Sequence, residues 1–204
     1  LLLGACGDDD SSVSSSGDGG NGTEPTADTA PVSPEVESRL LTINAFPDDW
    51  EEVETASSDA SAEAPGCFSG QDDDQAAARV SREFSAPRGV PQIVHEVTQY
   101  DPGEIAGAFA DAMEKLDGCD TLNLNSNGTH LEGTVERLDD FPTYGDESAA
   151  WQVSLTSEDG ELTVTLTVAY VRAGDFGMSL VYTDLDSPDL QEVEQYTALA
   201  AAKL

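Results

Sequence analysis

Leu162-Thr163-Val164-Thr165-Leu166-Thr167-Val168-Ala169-Tyr170-Val171 decides the fold class. Its β-branched and aromatic residues suit a pleated strand, and it is the clearest strand in the chain. Turn residues bound it on both sides. Ser157-Glu158-Asp159-Gly160 precedes it as a hairpin turn, and Arg172-Ala173-Gly174-Asp175 follows it. Ala150 to Thr156 therefore enters this hairpin, alternating through Trp151, Val153 and Leu155, and Phe176 to Tyr182 returns from it. Farther upstream, Thr121 to Asn125 is expected to pair with Thr129 to Arg137 across Ser126-Asn127-Gly128.

Outward from this β region the pattern changes. Val80 to Phe84 and Gln92 to Tyr100 read as strands, the second with Ile93, His95 and Val97 on one face. Asp101-Pro102 reads as a cap and first helical position, opening a helix to about Asp117. Its apolar face is Ile105, Phe109, Ala112, Met113 and Leu116, with Gly118 as a left-handed stop. Ser33-Pro34-Glu35 opens a short helix to about Leu41. Phe46-Pro47-Asp48-Asp49-Trp50 is a turn, Trp50 to Thr55 a possible strand, and Ser57 to Pro65 a loop. Ser187-Pro188-Asp189 caps a last helix with Leu190, Val193, Thr197, Ala200 and Leu204 on its inner face. Strands joined by short turns imply an antiparallel sheet, and helices on one side of it make an α+β sandwich.

The N-terminal end reads differently. Leu3-Gly4-Ala5-Cys6 resembles the bacterial lipobox, in which small residues pass a peptidase groove and the cysteine thiol takes diacylglycerol. The alternative is a stray cysteine in a frayed terminus. On the lipobox reading, residues 1–5 are the remnant of a signal peptide, and Cys6 the lipid-bearing N-terminus of a membrane-anchored, palmitate-bearing lipoprotein. Residues 6–33 hold six acidic residues, no basic and no aromatic residue, a composition expected to stay disordered as a tether. As a coil it would span on the order of 30 Å. Residues 34–204 are the folded domain.

The chain has 204 residues, 41 acidic against 8 basic, for a formal charge of −33. That excludes a nucleic-acid partner, which needs clustered Lys and Arg, and disfavours docking on anionic lipid head groups. Cys67 and Cys119 are the two thiols left after Cys6. In an oxidising location a bridge between them is expected, and closing about 50 residues stabilises by roughly 4 kcal/mol in the chain-entropy model. A zinc pair or a redox dithiol is the alternative, and the spacing fits neither pattern.

Catalytic sets are scarce. His95 lies within a strand and His130 begins one, the usual place for a packed or surface histidine. No Gly-x-Ser-x-Gly elbow, His-Glu-x-x-His pair or phosphate loop occurs. No enzyme activity, cofactor or metal is expected. The aromatic residues sit at core-like positions, and a groove lined by Trp151 and Tyr170 is the alternative use for two of them.

In their order along the chain, several features resemble one family. They are Leu40-Leu41-Thr42 leading to Phe46-Pro47-Asp48-Asp49-Trp50, Cys67, Val94-His95-Glu96-Val97 with Tyr100, and Ala106-Gly107-Ala108-Phe109 through Leu116-Asp117-Gly118-Cys119. The chain from about Glu37 resembles the extracellular sensor domain of PknH-type receptor Ser/Thr kinases, in its stand-alone lipoprotein form from high-GC Gram-positive bacteria. The resemblance implies an α+β domain with a groove for an extracellular ligand. The sequence departs from the kinases in having no kinase part and one candidate disulfide instead of two. It implies a sensor-like binding role facing outside the cytoplasm, for an unknown ligand or envelope protein. A chaperone-like partner of envelope complexes is the second expectation, and a hydrolase with an unrecognised site the third.

Overall fold

The computed structural model describes residues 33–53, 66–68, 76–126, 129–185 and 187–204. Cys6, all but the last residue of the expected tether, and the loop expected at Ser57 to Pro65 lie outside them.

Among the described residues, eight strands form one antiparallel sheet: β1 (Glu51–Val53), β2 (Ala76–Ser85), β3 (Gln92–Tyr100), β4 (Thr121–Ser126), β5 (Thr129–Arg137), β6 (Glu147–Ser157), β7 (Thr163–Ala173) and β8 (Phe176–Leu185). Their spatial order is β1-β2-β3-β8-β7-β6-β5-β4. Three helices of the described residues pack on the sheet: α1 (Pro34–Ser38), α2 (Ile105–Asp117) and α3 (Leu190–Ala201). The architecture is α+β, with the central stretch as β7 between its two hairpin partners.

The strand register assigns every side chain to a face, because directly paired residues point the same way. Ile93 pairs with Phe84 on β2 and Tyr182 on β8, and His95 with Leu180. Tyr182 and Leu180 in turn pair with Thr167 and Ala169 on β7. This face is covered by α1 and α3: Val36, Leu40, Val193, Tyr196 and Ala200 join Phe84, Ile93, Leu180 and Tyr182 in one core. The other face carries Val168, paired with Trp151, and then Val153 paired with Val135. Here Leu116 of α2 joins Leu122, Leu131, Val135, Trp151, Val153 and Leu155 in a second core.

The helices therefore lie on both faces, not on one. Each covers the half of the sheet whose apolar side it meets. The apolar side changes over at β7, where Thr167 and Ala169 are fully buried on one face and Val168 is buried on the other. Beyond the changeover each face turns polar. Gln152, Ser154, Thr134 and Glu136 follow on the α3 face, and Glu83, Glu96 and Ser179 on the α2 face.

Local differences have local causes. The Asp101 cap and Pro102 do not open α2. Gly103 has φ +89°, and the Glu104 N–H closes a turn on the Asp101 carbonyl at 3.1 Å, so the helix begins at Ile105. Gly118 ends α2 with φ −87°, ordinary right-handed backbone, so no left-handed stop is formed. The first helix stops at Ser38 and is followed by a 3-10 turn at Ile43–Ala45. β6 starts at Glu147, ahead of the expected Ala150. On α3, Leu190 is exposed, and Tyr196 takes a place on the inner face with Val193, Thr197 and Ala200.

Candidate ligand-binding cleft

Phe46 is the foundation of the candidate site. Its ring packs at 4.3 Å from Phe84, 4.9 Å from Tyr196 and 5.0 Å from Trp50 between ring centroids. That stack fixes the Ala45–Pro47 segment against α3. Asp189 starts α3 properly: its carboxylate accepts the Gln191 N–H at 2.9 Å, satisfying one of the free amides of the first turn.

Between these two elements opens a shallow cleft of about 510 Å³. Pro47 and Tyr196 line it on the apolar side, and Asp189, Gln191, Glu192 and Gln195 on the polar side. The Tyr182 hydroxyl donates to Glu192 Oε2 at 2.9 Å. Burial first, and then the Glu192 carboxylate, push the Tyr196 phenol up to about 12 and raise Tyr182 as well. Both phenols therefore stay protonated, donor groups anchoring Glu192. With two carboxylates, two side-chain amides and no basic residue in its lining, the cleft suits a neutral or cationic polar ligand and repels an anion.

The histidines do not combine. His95 sits on β3 and His130 on β5, with β8, β7 and β6 between them. His95 is fully buried, and its Nδ1 accepts the Leu41 N–H at 3.1 Å. Its Nε2 has no partner in the core. It holds the chain leaving α1 against the sheet. Burial first, then the nearby Lys203 ammonium, lowers its pKa from 6.5 to about 4.

That shift has a sign. Above about pH 6.5 the imidazole is neutral in both states and contributes no pH dependence. As pH falls from 6.5 towards 4, the unfolded chain takes up a proton that the folded chain refuses, and stability drops by about 1.4 kcal/mol per pH unit. The full loss is about 3 kcal/mol. His95→Asn keeps an acceptor for Leu41 and removes this titration. Its stability difference from the native chain, read by urea denaturation, should shrink by that amount between pH 7 and pH 4. A difference that does not change with pH would contradict the account.

Cys67 and Cys119 form a disulfide, with Cα atoms 6.0 Å apart and a sequence separation of 52. It joins the short turn Gly66–Phe68 to the end of α2 and packs into the second core. Trp151 and Tyr170 form no groove. Trp151 is 1 % exposed and meets Tyr170 edge-to-face at 6.0 Å inside that core. Among the described residues, no three His, Cys, Asp or Glu side chains come together as a metal site. Cys6 lies outside the described residues.

The cleft residues were legible only in part. Asp189 stands out as a helix cap. Glu192 and Tyr196 follow it at helical spacing, but nothing in the sequence shows that Pro47, some 140 residues upstream, faces them.

No protein-family model matches this chain. No curated protein matches it either. Among solved structures, it is similar to the extracellular domain of PknH from Mycobacterium tuberculosis, with a TM-score of 0.48 and 12 % identity over 68 % of this chain and 69 % of that one. At that distance no residue role passes from one to the other.

Proposed function

We propose that this chain is an extracytoplasmic lipoprotein, held at a membrane by a lipid on Cys6, whose domain is a non-catalytic, sensor-like ligand-binding module. The observation that carries the reading is the division of its cysteines. The disulfide takes up Cys67 and Cys119, which fits an oxidising compartment, and Cys6 remains as the one further cysteine, at the end of Leu3-Gly4-Ala5-Cys6. Among the described residues no helix is long and apolar enough to cross a membrane. The acidic run after Cys6 supplies reach, and the cleft at α3 is the ligand site.

Fractionation tests the anchor. The full precursor should enter the detergent-extractable membrane fraction, and Cys6→Ser should leave it. Equal partition of the two would overturn the reading. For the binding role, a screen of wall fragments, lipids and secreted proteins should yield a ligand whose binding weakens in Glu192→Gln. If the screen yields none, the binding claim fails. The second reading, a partner of envelope protein complexes, is favoured by the distribution of exposed leucines.

A further inference from the structure

Four large hydrophobic side chains stand exposed among the described residues: Leu162, Leu185, Leu190 and Leu199. Single exposed leucines need no explanation. Two of these, however, share one end and one face of the sheet. Leu185 at the end of β8 pairs with Val164, and Leu162 lies two residues before Val164, on the same side and one step farther out. Val164 pairs with Leu155 of the second core, so both leucines lie on the face that α2 covers, whereas Leu190 opens α3 on the opposite face. Leu162 is 39 % exposed and Leu185 44 %.

The setting of these leucines is acidic. Glu158, Asp159 and Glu161 occupy the β6–β7 turn, Asp184 precedes Leu185, and Asp189 caps α3. From Thr156 to Tyr196 the one basic residue is Arg172. It lies at the opposite end of β7, ion-paired to Glu147 at 2.8 Å and Asp146 at 4.0 Å. The neighbouring β2–β3 turn brings one cation, exposed Arg88, to this end of the sheet, where Ser85 pairs with Gln92 and Gln92 with Thr183; Glu158, Asp159, Glu161 and Asp184 outnumber it and leave the pole acidic.

We propose that this pole is a docking surface for a basic, amphipathic segment of a protein partner. Charge selects the occupant. A second copy would bring the same acidic pole and the same formal charge of −33. An anionic lipid surface or a nucleic acid is repelled for the same reason. A segment with Lys or Arg on one side and apolar residues on the other answers both features at once: its cations meet Glu158, Glu161 and Asp184 while its apolar side covers the leucines. This deepens the protein-partner reading above and does not depend on the lipid at Cys6, so either can fail alone.

The test uses the full chain and two defined peptides, read by amide chemical shifts. One is an amphipathic helical peptide of leucine and lysine; the other is a lysine–serine peptide of equal charge. The first should shift amides centred on residues 157–164 and 184–190. Its affinity should fall about tenfold or more in the Leu162→Ser/Leu185→Ser variant. The second should bind weakly, and equally to both proteins. Shifts spread over the acidic surface, such as along α2, would overturn the proposal, as would unchanged affinity in the variant. A dimer of the native chain that the same substitutions dissolve would assign the pole to a second copy and overturn it too. Both substituted positions are exposed, so the melting temperature of the variant should match that of the native chain and show that the fold is kept.

Discussion

Cys119→Ala is expected to lower the unfolding free energy by about 4 kcal/mol, the chain-entropy value for releasing a loop of this length. The loss should be uneven across the molecule. The bridge sits in the second core, where Leu116, Leu122 and Leu131 surround it, and the Cys119 N–H closes on the Leu116 carbonyl at 3.0 Å. The backbone of α2 and of β4, the last strand of the sheet, should therefore lose hydrogen-exchange protection first. β3 and β8 belong to the core on the opposite face, where Phe84, Ile93, Leu180 and Tyr182 meet α3, and should keep their protection up to global unfolding. Uniform loss of protection across all eight strands would show that the two cores do not open separately.

Trp151→Ala should cost a similar amount, about 3–5 kcal/mol. Trp151 is the largest of the fully buried side chains and fills the centre of the second core. It lies between Val168 on β7 and Arg137 on β5 in the register, with the Arg137 guanidinium 5.4 Å from its ring. Removal leaves a cavity bounded by strands on both sides, which cannot collapse without shifting the ladder. For a domain of this size the melting temperature should fall by roughly 10–15 °C. Trp151→Phe should recover most of it. A melting temperature unchanged in Trp151→Ala would place this side chain outside the core.

The sequence carried the strands well where one face alone is buried. Gln92–Tyr100 is bounded by its own alternation, and Ile93, His95 and Val97 all point into a core. It could not show that the helices sit on opposite faces. Alternation within one strand says which residues point together, but only the register between strands says which face they share. β7 hides the changeover because Thr165, Thr167, Val168, Ala169 and Val171 are all buried, leaving no polar side to read. Leu190, expected on the inner face of α3, is the first residue of the helix, where a side chain tilts back towards the N-terminus and past the helix start, and it is exposed. Its true member, Tyr196, carries a hydroxyl and reads as amphipathic in sequence, yet packs at 3 % exposure against Phe46. The cleft was the least legible feature, since it exists only where residues near position 46 and near position 192 meet.

Intact-mass spectrometry of the protein from its native membrane, with and without reductant, tests the central claim most directly. The account predicts a diacylglyceryl adduct on Cys6 as the N-terminal residue. It also predicts a mass lower by about two daltons before reduction, assigned to Cys67 and Cys119. An unmodified Cys6, or free thiols at both Cys67 and Cys119, would contradict a lipid-anchored domain in an oxidising compartment.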